Sequence, residues 1–177
     1  MEEGNRTEPL FTNKCTYTKE VYRDSYLNFN KPKRTLFVII TSFFMLITLL
    51  ELMLNAATFE INFAFFLLFI GLIVFLFIPL YNSNLSYKRS LEIYHEEIVV
   101  SSSFFENRFV TIAHPSNATF TIQYSQLKRV IVTKKLYLLV VHLRLFYIID
   151  KNGFDKINML EFEQFLHQKA PKAKFTR

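Results

Sequence analysis

The sequence predicts a membrane α+β protein, a two-helix transmembrane hairpin followed by a small antiparallel β domain with a C-terminal helix. Two observations carry this. Residues 35–80 hold no Lys or Arg and only Glu51 and Glu60, whereas the flanks hold all 21 basic residues. Beyond that apolar block the periodicity of the chain changes from helical to two-residue alternation. Composition removes other classes. With 51% hydrophobic residues, 21 Phe, 3 Gly and one Cys in 177 residues, the chain is neither disordered, collagen-like nor disulfide-framed, and it has too few glycines for a phosphate loop.

The first element lies in residues 1–34, a segment placed in the cytoplasm. Residues 1–13 are polar and expected to be loose. From Tyr17 to Phe29 the apolar residues Val21, Tyr22, Tyr26 and Phe29 share one helical face, with Lys19, Glu20, Arg23 and Asp24 mostly on the other. This is an amphipathic juxtamembrane helix, able either to lie on the inner leaflet or to dock on the domain that follows.

The hairpin comes next, with spans at about 35–54 and 61–80, each near the roughly 20 residues that cross a bilayer. LFVIITSFFMLITLL and FAFFLLFIGLIVFLFIPL are apolar on every face, where a soluble helix of that length keeps a polar stripe. Two uninterrupted helices also satisfy every backbone polar group within lipid. Lys31, Lys33 and Arg34 precede the first span, Lys88 and Arg89 follow the second, and the loop between has no basic residue. The positive-inside rule therefore predicts a multi-pass protein of the cytoplasmic membrane with both termini inside. Pro32 suits a helix start, and Pro79 is expected to end the second helix. Glu51 is the candidate intramembrane contact, although its place in the last turn favours a carboxylate reaching the outer headgroups.

After the membrane, residues 85–177 read as one β domain. SLEIYHEEIVVSSS suggests two short strands around His95–Glu97, and FVTIAHPSNATFTIQ two more around Pro115–Asn117. QLKRVIVT, LYLLVVHL and LFYIID follow, with turns at Lys134–Lys135 and Leu143–Arg144. Helical spacing then returns, with Asn158 as N-cap and Met159, Phe162, Phe165 and Leu166 as the apolar face.

This order of parts resembles the YcxB-like family of bacterial membrane proteins. The resemblance rests on three short motifs besides the architecture: Tyr124, Ser125 and Leu127; Val130, Thr133 and Lys134; and Ile149, Asp150 and Lys151, where the family has a proline that this chain lacks. It implies a cytoplasmic domain similar to pleckstrin-homology (PH) folds, without established enzymatic activity. Some similar tethered domains protect producer cells against bacteriocins or secreted toxins, which makes a toxin one partner to consider.

No chemistry assembles from the remaining residues. His95, His114, His142, His167 and Cys15 lack metal-ligand spacing, and Ser101–Ser103 lack a nucleophile-elbow glycine. Asp150, Asn152, Gly153 and Asp155 only superficially imitate a calcium loop, because the glycine stands two positions early, so the segment reads as a turn. No catalytic residue, metal or cofactor is expected. The candidate lipid- or partner-binding residues are Lys128, Arg129, Lys134 and Lys135, clustered in sequence around one strand, since basic groups gain from an anionic inner leaflet. Nucleic acid is not expected, as no groove-reading motif accompanies them. The predicted function is thus a non-enzymatic membrane protein that binds anionic lipid or an unidentified membrane or cytoplasmic protein. Self-association through the Phe-rich hairpin is left open. The competing reading is an enzyme acting on lipid or peptide at the interface, with Glu51 or His95 as acid or base.

Overall fold

The computed structural model describes residues 8–54, 59–142, 145–154 and 159–177, without the side chains of residues 52, 53, 59–62 and 64. The loop at 55–58, the Leu143–Arg144 turn and the Asn158 cap lie outside the described residues.

The helical part is a single long antiparallel pair. One side consists of α1 (Lys19–Phe29) and α2 (Lys31–Met53), joined through Asn30, which keeps right-handed helical angles. Thr18 opens α1 by accepting the Val21 N–H at 3.3 Å. The other side is α3 (Phe59–Tyr94), whose 36 residues extend about 54 Å. One register holds throughout. Phe37 faces Phe75 with ring centroids 4.0 Å apart, Tyr26 shares a 2.8 Å hydrogen bond with Ser86, and the Tyr22 hydroxyl bonds Ser90. Ser25, Ser83 and Ser90 are buried along this seam, where small side chains let the helices approach closely.

Two expectations are corrected here. The second helix does not end at Pro79 but runs through it to Tyr94, and Leu91–Tyr94 is helical, not a strand. The proline forfeits only one backbone bond, and beyond it α3 still has α1 to pack against. His95 then closes the helix in the left-handed region, at φ 59°, its N–H donating to the Leu91 carbonyl at 2.8 Å. The two helices long and apolar enough to cross a membrane keep only 6% of their apolar windows buried. Leu36, Phe43 and Phe66 are exposed, which is not how the core helix of a water-soluble protein sits.

The β domain has two four-stranded sheets. In the first, β1 (Phe11–Thr16), β2 (Val99–Phe104), β3 (Arg108–His114) and β4 (Ala118–Gln123) pair antiparallel in that order. The second has the order β7-β6-β5-β8, from β5 (Arg129–Val132), β6 (Leu136–His142), β7 (Leu145–Asp150) and β8 (Lys174–Thr176), with β8 parallel to β5. Helix α4 (Met159–Lys169) buries Phe162, Phe165 and Leu166, the face its spacing predicts. The strand pairs about Pro115–Asn117 and Lys134–Lys135 also form as expected. Two strands were not expected. β1 draws on residues assigned to a loose N-terminus, in register from Phe11 opposite Phe104 to Cys15 opposite Val100. β8 adds the one parallel pairing among the described strands.

β6 explains how the layers stack. Leu136, Tyr137, Leu138 and Leu139 are all at most 2% exposed, so both faces of the strand are covered. Tyr137 and Leu139 join Phe104, Phe109, Val130, Ile149 and Phe162 between the two sheets and α4. Leu136, Leu138 and Val140 join Cys15, Ile131 and Ile148 on the opposite face, under Tyr17, Val21 and Phe29. Helix α1 is therefore docked on the domain, with its other side against α3. Of the two roles its amphipathic pattern allowed, the structure selects this one.

Candidate binding surfaces where the helix meets the domain

The four basic residues proposed from sequence do not form one patch. They divide into pairs at opposite ends of β5, roughly 16 Å apart at about 3.3 Å per residue. At the end nearer the hairpin, Arg129 is half-buried. Its Nη2 donates to the Phe29 carbonyl at 3.3 Å and its guanidinium sits 5.4 Å from the Phe29 ring centroid. Phe29 is in turn stacked on Phe146 at 4.8 Å. Arg129 thus fastens α1 to the sheet through a planar group that both stacks and donates. Lys128 beside it is exposed, and so is Lys174, whose backbone N–H donates to the Lys128 carbonyl at 3.0 Å.

At the far end, Lys134 and Lys135 are exposed on the β5–β6 turn, and Lys135 lies 3.5 Å from Glu20 on α1. Both members of that pair are highly exposed, so water screens it. Thr133 does more. Its hydroxyl donates to Asp24 at 3.0 Å and accepts from the Leu136 N–H at 2.8 Å, so one side chain closes the turn and holds the helix. Lys151, not singled out in the sequence, donates to the Thr133 carbonyl at 2.6 Å and lies 4.7 Å from the centroid of the Tyr137 ring. Only the pairing of the β5–β6 and β7 ends reveals that role. The motif residue Tyr124 is buried, its hydroxyl donating to the Phe105 carbonyl at 2.9 Å.

A cleft of about 560 Å³ opens beside this turn, between the first half of α1, β1 and the turn after β7. Lys14, Glu20, Arg23, Asp24, Lys135, Asp150 and Asn152 give it mixed charge, and Val21, Leu27 and Leu136 add apolar wall. Its floor is tightly built. A side chain at Gly153 would overlap the Lys14 carbonyl, and the buried Asn13 amide donates to the Asp150 carbonyl at 2.7 Å. Asp150 to Gly153 form a turn, as expected from the sequence, and Asp150 accepts the Asn152 N–H at 2.9 Å. The sequence pointed to Lys135 and the Asp150–Gly153 turn separately but not to the cleft, because its walls come from segments more than a hundred residues apart.

Cys15 lies behind the cleft, fully buried. Burial pushes its thiol up to about 12, and the Asp150 charge adds to that. The thiol therefore stays protonated at neutral pH and is a packing group. Burial likewise raises the Tyr17 hydroxyl. Among the described residues no three His, Cys, Asp or Glu side chains come together as a metal site would require. Glu51 lies in the last turn of α2, partly exposed.

No curated protein and no solved structure matches the chain. The family model described as YcxB-like protein matches residues 104–166, from the last residue of β2 to the middle of α4. The match includes Tyr124, Thr133 and Lys151, whose contacts are given above, and Leu127, which is buried in the core between the sheets. Residues 104–166 thus match the YcxB-like family model, in a chain that also has two helices long and apolar enough to cross a membrane.

Proposed function

We propose that this protein is a non-catalytic, membrane-anchored binding protein. The hairpin crosses the cytoplasmic membrane with both termini inside, and α1 with the end of α3 forms a short stalk that carries the β domain at the inner face. The two four-stranded sheets and the C-terminal helix support a PH-like reading of that domain. The cleft beside the β5–β6 turn receives a protein partner, its mixed charge and apolar wall suiting a peptide segment better than a purely anionic ligand.

One observation carries this reading. The register of the helix pair continues without a break from Phe37 and Phe75 to Tyr22 and Ser90, and the domain is clamped to that pair by Arg129, Phe29 and Thr133. Such a joint fixes the height and orientation of the cleft relative to the hairpin, which is of use for holding a partner at a surface. The test is photo-crosslinking in the protein's own cells, with the reactive residue placed at Arg23 or Asn152, both exposed and lining the cleft. A single protein trapped at both positions is expected. Crosslinks to other copies of this chain alone would refute the reading.

A further inference from the structure

A second concavity, of about 530 Å³, lies at the junction of α1 and α2 and shares only Leu27 with the cleft. Leu27 and Asn28 at the end of α1 form the end toward the domain, Lys31 and Arg34 lie in the middle, and Val38 and Ile39, one turn further into the hairpin, with Leu76 of α3 form the other end. Among the described residues no carboxylate lines it, and the nearest one along the chain, Asp24, is taken up by the Asn28 amide at 2.9 Å. The Arg34 Nε is buried and has no hydrogen-bond partner among the described residues, so a donor on an always-charged group is held out of water without an acceptor. The Lys31 ammonium is exposed at the mouth.

We infer that this groove is a binding site for one anionic phospholipid of the inner leaflet, its phosphate held by Lys31 and Arg34 and an acyl chain lying along Val38, Ile39 and Leu76. The inference rests on the membrane-anchoring reading and names the lipid class that the anchor selects. The charge, the apolar floor and their order along the helix all match a phospholipid entering from the bilayer, and the phosphate supplies the acceptor that Arg34 Nε lacks. A soluble phosphate would use only half of the site.

The experiment uses the full chain reconstituted into phosphatidylcholine vesicles that contain trace spin-labelled phosphatidylglycerol or spin-labelled phosphatidylcholine, reading the motionally restricted fraction of each label. Preference for phosphatidylglycerol is expected, falling by about fivefold for each charge removed in Lys31→Gln and Arg34→Gln. It should fall by less than about twofold in Lys33→Gln and Lys128→Gln, which alter exposed cations outside the groove and remove only screened surface attraction. Val38→Trp, which fills the groove and keeps both charges, should abolish the preference and guards against a purely electrostatic explanation. Equal affinity for the two lipids, or an equal loss in the control variants, would overturn the site. Displacement of the restricted lipid by millimolar glycerol phosphate would overturn the acyl-chain half. Failure of the native chain to float with the vesicles would instead overturn the anchoring reading itself.

Discussion

Replacing Arg129 with alanine should loosen α1 from the sheet while the β domain stays folded. The guanidinium makes one charge-assisted hydrogen bond, to the Phe29 carbonyl, at the long distance of 3.3 Å, which puts it near the low end of such bonds, about 1.5 kcal/mol. Its position 5.4 Å from the Phe29 ring centroid adds about 0.5–1 kcal/mol for a half-exposed cation–π contact. Together these contribute about 2 kcal/mol to docking of the helix, which corresponds to roughly thirtyfold faster exchange of the α1 amides that open with it. The assay is hydrogen exchange on the full chain in detergent, peptide by peptide. Arg129→Lys should recover part of the loss, because an ammonium keeps the ring contact and loses the planar fork. Lys128→Ala, at an exposed position, should leave α1 exchange within about twofold of the native chain. Equal effects at Lys128 and Arg129, or unchanged α1 protection in Arg129→Ala, would refute the clamp and return both residues to the status of free surface cations.

Other outcomes follow from buried positions. Gly153→Ala should destabilise the domain by about 3 kcal/mol in chemical denaturation, since the new methyl meets the rigid Lys14 carbonyl; a change below about 0.5 kcal/mol would mean the turn moves freely. Thr111→Val should stabilise by about 1 kcal/mol, because its buried hydroxyl and that of Ser102, directly opposite on β2, have no hydrogen-bond partner among the described residues. A loss of stability on the same denaturation curve would show that the Thr111 hydroxyl is satisfied in solution. The Cys15 thiol, whose value rises from 9.0 to about 12 on folding, keeps a proton that the unfolded chain releases. Its contribution is therefore intact below about pH 9 and lost as pH climbs toward 12, so stability should fall across that window and fall less steeply in Cys15→Ala. Maleimide should label Cys15 rapidly only after unfolding; fast labelling of the native chain at neutral pH would contradict the burial.

Elements whose cause is local could be read from the chain alone. An apolar run without Lys or Arg has to be a helix if it enters lipid, and two such runs with a short connection make the hairpin, whatever the rest of the chain does. Two-residue alternation and turn residues likewise marked β2 to β7, and helical spacing identified the face of α4 from Phe162 to Leu166. Tertiary structure decided the elements whose partners are distant. β1 is a short strand with polar Asn13 on its inner side, and it exists because β2, more than eighty residues later, offers it an edge. β8 forms on the opposite edge of β5 for the same reason. Pro79 looked like a stop because its lost hydrogen bond is a local fact, whereas the packing of α3 against α1 that carries the helix onward is not. The candidate site followed the same division. Sequence spacing gathered Lys128, Arg129, Lys134 and Lys135 into one basic group, but an extended strand places its ends far apart, and docking of α1 assigned each end a different role. Arg129 became a clamp and Lys135 a cleft wall because of where Phe29 and Glu20 lie in space, and that depends on a helix face meeting a sheet about one hundred residues away along the chain.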